Sequence, residues 1–501
     1  MNRLILIIIL FSLILFGCNV KQETVYKPET DSLRFEGEKH LRNIKQLTFG
    51  GNNAEAYWSF DNKQLVFQSD WNEINSQGCD QIFIMNADGT DLRAGEKYRM
   101  ISTGTGRTTC AYFLKDGRII WISEKSGYKH LWISKHSGSM SWPITQGQWE
   151  VTKIIHIDED KEVVYFKGNK ESIFESRFYS IRYDGTDLKL LTPEEGSHSI
   201  SLLGSKLYFL DTFSSLQTPK TIQLKELGAG NLIRIIDKTD KSQFEEYEWE
   251  TPKIIQFSSL DSSSILDGLL LLPKNYNPDK KYPLIVHGYG MPGTQIVWNK
   301  WGSVWSQYLS QQGYVVFSMD SRGMSGRGEK FKNLSYGDMS KYLALDNAAG
   351  VKQLIKLGYV DPQRVGAWGW SGGGYFTCLM VTRNSKYFKT GVAIAPCTDF
   401  RLYDTAYTER YMGSLETNKS GYDSTNVLSW IHRMKGSLLL MHGSNDDNVH
   451  LQHTSKFVSH ALSLGKDVEW YSYPNKNHGI YGGGSRKHLY QKMIDYFNRN
   501  L

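Results

Sequence analysis

The sequence predicts a two-part chain: a short β-propeller of about four to five blades, followed by an α/β domain with a mostly parallel, doubly wound sheet. Three observations predict it. A three-part pattern recurs in fixed order between about Lys45 and Gly230, at intervals of about 43 to 54 residues. After about Asp261 the rhythm changes, and apolar strand-like runs alternate with amphipathic helical stretches. Gly369-Trp370-Ser371-Gly372-Gly373 stands where one of those runs meets a helix.

Composition bounds the rest. At 501 residues the chain has room for several domains, and 58 Lys+Arg against 52 Asp+Glu leave only +6. Neither that balance nor any basic block points to nucleic acid as a partner. Aromatic residues make up 13% and glycine numbers 46, a combination that suits antiparallel strands joined by tight turns.

The first residues are read as a targeting segment (1–17), with 18–40 as a linker. Met1-Asn2-Arg3 precedes an apolar run from Leu4 to Phe16, shorter than the roughly 20 residues a spanning helix needs. It ends in Leu15-Phe16-Gly17-Cys18, which resembles the bacterial lipobox in spite of its bulky Phe16. The reading is export with lipidation at Cys18 and a membrane-anchored place in the bacterial cell envelope. A plain secretory signal is the alternative. Cys79, Cys110, Cys378 and Cys397 show no framework or zinc spacing and are expected to be free or at most one pair.

The propeller-like region is placed at 41–254. An apolar-Thr-Gly element opens each unit, as in Gln46–Gly50, Met100–Gly104, Pro143–Gly147 and Leu190–Gly196. Strands follow at Leu65–Phe67, Ile119–Trp121, Val163–Phe166 and Leu207–Phe209, then again at Gln81–Gly89, His130–Gly138, Arg177–Gly185 and Lys220–Gly228. Four units fit, five if Leu232–Phe257 contributes. Asn86–Asp91 has a faint calcium-loop look, but it lacks the closing Glu and recurs at Tyr183–Asp187, so it reads as a β-turn.

The α/β domain is placed at 255–501. Its expected strands are Leu284–Gly288, Val315–Asp320, Val365–Trp370, Gly391–Ala395, Ser437–His442 and Val468–Tyr473, with helices over Tyr342–Leu357, Leu451–Leu464 and Lys487–Asn498. Open α/β sheets carry their chemistry at the C-terminal strand ends. Ser371 sits in a G-x-S-x-G elbow there. Asp446 follows the strand Ser437–His442, and His478 follows Val468–Tyr473. The chain order Ser, Asp, His is that of an α/β hydrolase. Ser371 is expected to attack, His478 to take its proton and Asp446 to hold the imidazole, with Asp447 the competing acid. No metal pair such as H-E-x-x-H occurs, and Gly482-Gly483-Gly484 lacks the Lys-Ser/Thr of a phosphate loop. Neither metal nor cofactor is expected.

With these motifs the chain resembles the prolyl oligopeptidase (S9) family of serine peptidases, and within it the dipeptidyl peptidase IV branch. The resemblance rests on Gly369-Trp370-Ser371, Tyr407–Gly413, Asp446–His450, Gly147–Thr152 and Leu191–Gly196, and covers roughly Lys115 to Leu501. Residues 45–95 are more similar to TolB-type propellers. The resemblance implies an oxyanion hole from Tyr289 and the backbone N–H of Gly372. It also implies an apolar pocket from Phe400, Tyr403, Tyr407 and Val449, and an Asn448 side chain that binds the substrate backbone. Two departures stand out. Gly372 replaces the tyrosine usual beside the nucleophile, so a wider pocket is expected there. The acidic pair with which that branch captures a substrate N-terminus has no counterpart: Glu194-Glu195 and Glu245-Glu246 lie in other contexts.

The functional expectation is therefore a serine peptidase acting on short peptides through an acyl-enzyme. The rivals are an esterase with the same triad and an idle envelope scaffold. Residue preference, dipeptidyl against oligopeptidase action and oligomeric state, homodimer included, are not set by the sequence.

Overall fold

The computed structural model describes residues 33–76, 80–102, 104, 108–135, 140–247 and 249–501. The expected targeting segment, Cys18 and Cys79 lie outside the described residues. The chain divides after Gly50: the described residues 33–50 have no helix or strand, and Gly51–Leu501 form one compact unit. No helix among the described residues is long and apolar enough to cross a membrane.

The second unit begins with four antiparallel sheets of four strands, each in simple meander order. The first is β1 (Asn53–Trp58), β2 (Gln64–Ser69), β3 (Gln81–Asn86) and β4 (Arg99–Met100). The second is β5 (Thr108–Phe113), β6 (Ile119–Ser123), β7 (His130–Ser134) and β8 (Ser141–Pro143). The third is β9 (Val151–Asp158), β10 (Val163–Gly168), β11 (Arg177–Arg182) and β12 (Lys189–Leu190). The fourth is β13 (Ser197–Leu202), β14 (Tyr208–Ser214), β15 (Thr221–Glu226) and β16 (Leu232–Lys238). The middle strands are the repeated apolar runs, buried because successive sheets pack face to face. Val66, Ile82 and Ile84 join Phe113, Ile119 and Trp121 in one cluster, and Ile120, Ile133, Val164 and Phe166 share the next. Tyr165, Phe178 and Phe209 carry the stack to the fourth sheet. The stretch Leu232–Phe257 adds no fifth sheet, because its first strand is β16 and its second belongs to the large sheet below.

The two Asp-Gly turns are closed from within. Thr90 N and Oγ1 both donate to Asp88 Oδ1, at 2.9 and 2.6 Å, and Thr186 does the same to Asp184. That is a side-chain-capped β-turn.

The α/β domain follows as β17 (Lys253–Ser258), β18 (Ile265–Leu271), β19 (Tyr282–His287), α1 (Val304–Gln311), β20 (Val315–Asp320), α2 (Glu329–Lys332), α3 (Lys341–Lys356), β21 (Val360–Trp370), α4 (Gly372–Arg383), β22 (Thr390–Ile394), α5 (Thr405–Met412), α6 (Lys419–Thr425), β23 (Ser437–Gly443), α7 (Gln452–Ser463), β24 (Glu469–Tyr473) and α8 (Ser485–Asn500). Its eight strands run β17-β18-β20-β19-β21-β22-β23-β24. β18 is antiparallel to both neighbours, and every pair from β20 onward is parallel. One face is covered by α3, α4 and α7 through Leu343, Leu354, Phe376, Leu379 and Phe457. The other is covered by α1 and α8 through Leu309, Leu489, Met493 and Phe497. Strands buried on both faces must be apolar throughout, which is why β22 (TGVAI) and β23 (SLLLMHG) are almost wholly buried.

The domain is fastened to the propeller-like sheets by a loop and helix, 322–332. Lys332 forms a buried ion pair with Glu124, Gly328 N donates to Glu150 Oε1 at 2.8 Å, and Asn169 Nδ2 donates to Gly326 O at 3.0 Å.

Candidate active site

The elbow is strained where its chemistry requires. Ser371 has φ 60° and ψ −117°, a conformation disfavoured for a residue with a Cβ, held by its N–H donating to Ile394 O at 2.8 Å. The flanking glycines are needed for space. A Cβ on Gly369 would stand 2.3 Å from Gly373 O, and one on Gly373 would stand 2.4 Å from Gly288 O. Strand β21 therefore turns into α4 with Ser371 at the tip and the α4 N-terminus directly behind it.

Asp446 and His478 meet on neighbouring strand-end loops. Asp446 Oδ2 accepts from His478 Nδ1 at 2.7 Å, while Oδ1 accepts the N–H groups of Asn448 and Val449 at 3.0 and 2.9 Å. The Asp446 side chain has no exposed area. Burial alone would raise its carboxyl, but hydrogen bonds from His442 and His478, with the Asn448 N–H, hold it below the usual carboxylate range. Asp447 is exposed. Trp370, the residue before Ser371, donates from Nε1 to His478 O at 2.9 Å and ties the histidine loop to the elbow.

One partner escaped the sequence reading. His442, wholly buried at the end of β23, places Nε2 2.8 Å from Val449 O and 3.2 Å from Asp446 Oδ2, with Nδ1 2.8 Å from Thr454 Oγ1. Two oxygen acceptors at Nε2 put the proton there, so His442 is a second donor to the Asp446 carboxylate. Its signal was the spacing of four residues before Asp446, which brings the two together only because the loop between them is a tight turn.

Tyr289 lies on the loop after β19, its ring against the first turn of α4: a Cβ on Gly372 would stand 3.2 Å from its Cε1 and Cζ. That loop is held from both sides. Asp320 Oδ1 accepts from Ile296 N at 2.8 Å, Gln295 Nε2 donates to Ile173 O at 2.7 Å, and Asn299 N donates to Phe174 O at 2.7 Å. The propeller-like sheets thus help fix the loop that presents Tyr289.

The aromatic residues expected to line the pocket form a ladder. Phe400 packs edge-on against Tyr375 of α4 (5.2 Å), Tyr403 against Phe400 (6.4 Å), and Tyr407 against Tyr403 (5.9 Å). Phe400 and Val449 are buried in the core, while Tyr403 and Tyr407 are partly exposed. Tyr403 Oη donates to Asn448 Oδ1 at 3.0 Å, and Tyr407 Oη to Pro292 O at 3.2 Å. Burial pushes the Tyr403 hydroxyl up to about 12, so it stays a neutral donor.

At Gly372 the position of a Cβ is already crowded. A Cβ there would stand 2.4 Å from Met291 Cγ, and Met291 is buried. Met291, on the Tyr289 loop, thus stands against the first carbon of any side chain at position 372. Of the cysteines, Cys378 and Cys397 are free and buried. Gly482–Gly484 all have positive φ and form the loop leading into α8.

Comparison with known proteins agrees with this architecture. Residues 301–501 match the model of the prolyl oligopeptidase family, and residues 105–220 that of the dipeptidyl peptidase IV N-terminal region. The chain is 31% identical over 415 residues to a protein of Emericella nidulans described as "Probable dipeptidyl peptidase 4", covering 78% of this chain and 52% of that one. It is 31% identical over 376 residues to dipeptidyl peptidase 4 of Trichophyton equinum, covering 72% and 48%. The crystal structure of Porphyromonas gingivalis dipeptidyl peptidase 4 superposes with a TM-score of 0.81 at 28% identity, covering 89% of this chain and 63% of that one. The chain spans about half the length of these curated relatives. On these matches, and on the elbow and sheet order above, the chain belongs to the prolyl oligopeptidase family of serine peptidases, in its dipeptidyl peptidase IV-like branch.

Proposed function

We propose that the chain hydrolyses peptide bonds of short peptides, with Ser371 as nucleophile, His478 as general base and then acid, and Asp446 as the group that orients His478. The observation that carries this reading is the 2.7 Å Asp446–His478 hydrogen bond on loops tied to a strained Ser371 elbow. In the acylation step the Ser371 Oγ–carbon bond forms while its proton passes to His478 Nε2. The carbon–nitrogen bond then breaks as His478 returns that proton to the leaving amine. Tyr289 Oη and the Gly372 N–H would hold the oxyanion, each donor worth a few kcal/mol, about 2.7–4 by analogy. Tyr403 and Tyr407 would receive the residue before the scissile bond, with Phe400 and Val449 behind them, and Asn448 would bind the substrate backbone.

Three results test it together. A fluorophosphonate should label Ser371 and no other serine, and Ser371→Ala should lower kcat by on the order of 10⁴–10⁶ with folding intact. Fluorogenic Xaa-Pro and Xaa-Ala dipeptides, free and N-blocked, should be cleaved. Turnover of simple esters without any peptide turnover would instead make the chain an acyl hydrolase.

Export and anchoring through Cys18 belong to the same proposal. Two or more acyl chains suffice for stable attachment, so Cys18→Ser should release the protein from the detergent phase.

A further inference from the structure

We infer that Arg486 binds the carboxylate of the peptide fragment that leaves over His478, making a recognition site on the leaving-group side. The inference rests on the peptidase reading of the same site.

Arg486 lies in the first turn of α8, eight residues past His478. Its guanidinium carbon stands 4.3 Å from the ring centroid of Trp370 and 4.3 Å from that of Tyr481. Both rings sit against the His478 loop. Trp370 precedes Ser371 and donates to His478 O. Tyr481 packs onto Gly479, the residue after His478, where a Cβ would stand 2.2 Å from Tyr481 Cε2. The guanidinium is therefore fixed against two aromatic faces beside the catalytic loops, an arrangement that holds the cation but offers its N–H edge no acceptor.

Part of that edge is unmatched among the described residues. Arg486 makes no ion pair among the described residues, and its Nε is buried without a hydrogen-bond partner. The other half-buried or buried arginines of this domain each reach an acceptor: Arg322 reaches Asp346 and Asp261, Arg327 reaches Asp267 and Asp320, Arg364 reaches Asp361, Arg401 reaches Asp399, and Arg383, which also stacks on an aromatic ring, donates to Ser340 Oγ. A buried donor without an acceptor is costly, and a planar fork of donors matches a carboxylate in geometry and charge. The local charge agrees. Residues 475–488 contain Lys476, Arg486 and Lys487 and no acid, and Lys476 Nζ lies over the glycine loop, 3.7 Å from where a Cβ of Gly482 would stand.

The side follows from the chemistry. His478 must hand its proton to the leaving amine, so the leaving fragment lies against the His478 loop, across Ser371 from Tyr403 and Tyr407. A leaving fragment of one or two residues carries its own C-terminal carboxylate into that region, whereas a longer fragment brings one only through an acidic side chain.

The test is kcat/KM on Ala-Pro-Ala as free acid, as C-terminal amide, and as the amide of Ala-Pro-Glu, with wild type, Arg486→Gln and Arg486→Lys. Wild type should favour the free acid over the amide by about tenfold, Gln should bring the ratio toward one, and Lys should keep part of it. Preference for the Glu amide equal to that for the acid would assign the site to an acidic side chain and overturn the C-terminal form of the inference. A wild-type ratio within about twofold would overturn it altogether, as would a Gln variant that slows acid and amide equally with the ratio kept. In that last case Arg486 only props Trp370 and the His478 loop. Product inhibition gives a second readout: the acid Ala-Ala should compete better than its amide, and Arg486→Gln should erase the difference. If no peptide is cleaved while Ser371 still takes the fluorophosphonate, the peptidase reading itself fails and this inference with it.

Discussion

Asp446 and Asp320 are two buried aspartates whose environments push them in opposite directions. Asp446 receives N–H donors from His442, His478, Asn448 and Val449, and is held ionised below its ordinary range. Asp446→Asn should therefore be severe, on the order of 10⁴ in kcat, because an amide cannot fix the His478 tautomer. Asp447→Asn, at an exposed position, should change kcat by no more than about twofold. Comparable losses at both would reverse the assignment of the acid. Asp320 is pushed up to about 6, chiefly by burial, against the opposing pull of Arg327 and the Ile296 and Val297 N–H groups. The signs differ accordingly. A carboxyl with a lowered folded value stabilises above its unfolded value of about 4 and loses that contribution as pH falls through the folded value. A carboxyl with a raised folded value makes the folded state bind its proton first, so between about pH 4 and 6 stability rises as pH falls. Melting temperature followed across that window should show a slope of this sign, flattened in Asp320→Asn. An unchanged slope would remove Asp320 as its source.

Elements differ in how far their sequence announces them. β20 is a largely apolar run interrupted by Ser318, and the structure places it at Val315–Asp320, as the sequence reading does. The helix over 341–356 and the elbow were legible for the same reason: short-range periodicity and a glycine-bounded turn carry their own signal. Contacts between distant segments were not. Nothing local in Gly372 shows that Met291, on another loop, fills the space beside it. Nor did Leu232–Lys238 reveal whether it opens a fifth sheet or closes the fourth, since an outer strand exposed at every residue has no core pattern to read. The Met291–Gly372 contact yields a prediction at this scale. Gly372→Tyr should not simply narrow the pocket; it should collide with Met291 and cost about 1–3 kcal/mol of stability through overpacking. Met291→Ala should open a cavity beside Tyr289, and the double variant should recover stability relative to either single change. Melting curves of the four proteins form the cycle. Additive losses would mean that the two side chains do not share this space.

The propeller-like sheets and the α/β domain belong to one compact unit, and the seam between them is built from charge as well as packing. Lys332 and Glu124 have side chains only 9% and 6% exposed, so salt screens their pairing little. Lys129, at 3.9 Å from both Glu124 and Glu150, adds a weaker positive charge to the same place. Arg410–Asp80, at 37% and 13%, is the more exposed seam contact and the more salt-sensitive one. Breaking a buried pair from one side leaves the other charge without compensation. Lys332→Met should therefore cost about 3–5 kcal/mol, toward the low end because Lys129 remains near Glu124. Removing both charges in Lys332→Met/Glu124→Leu should recover most of that loss, since two apolar groups of similar size need no partner. The functional consequence follows from the same seam. The Tyr289 loop is fixed by Gln295 and Asn299 to residues 173 and 174, in the loop between β10 and β11, so loosening the seam should lower kcat before it unfolds the elbow. Calorimetry and kcat on the two variants decide the matter. Loss of stability in the single variant, its recovery in the double, and a fall in kcat that tracks both would show that the four sheets act as part of the catalytic scaffold. A single variant as stable and active as wild type would make the ion pair incidental and leave the Tyr289 loop to be held by the α/β domain alone.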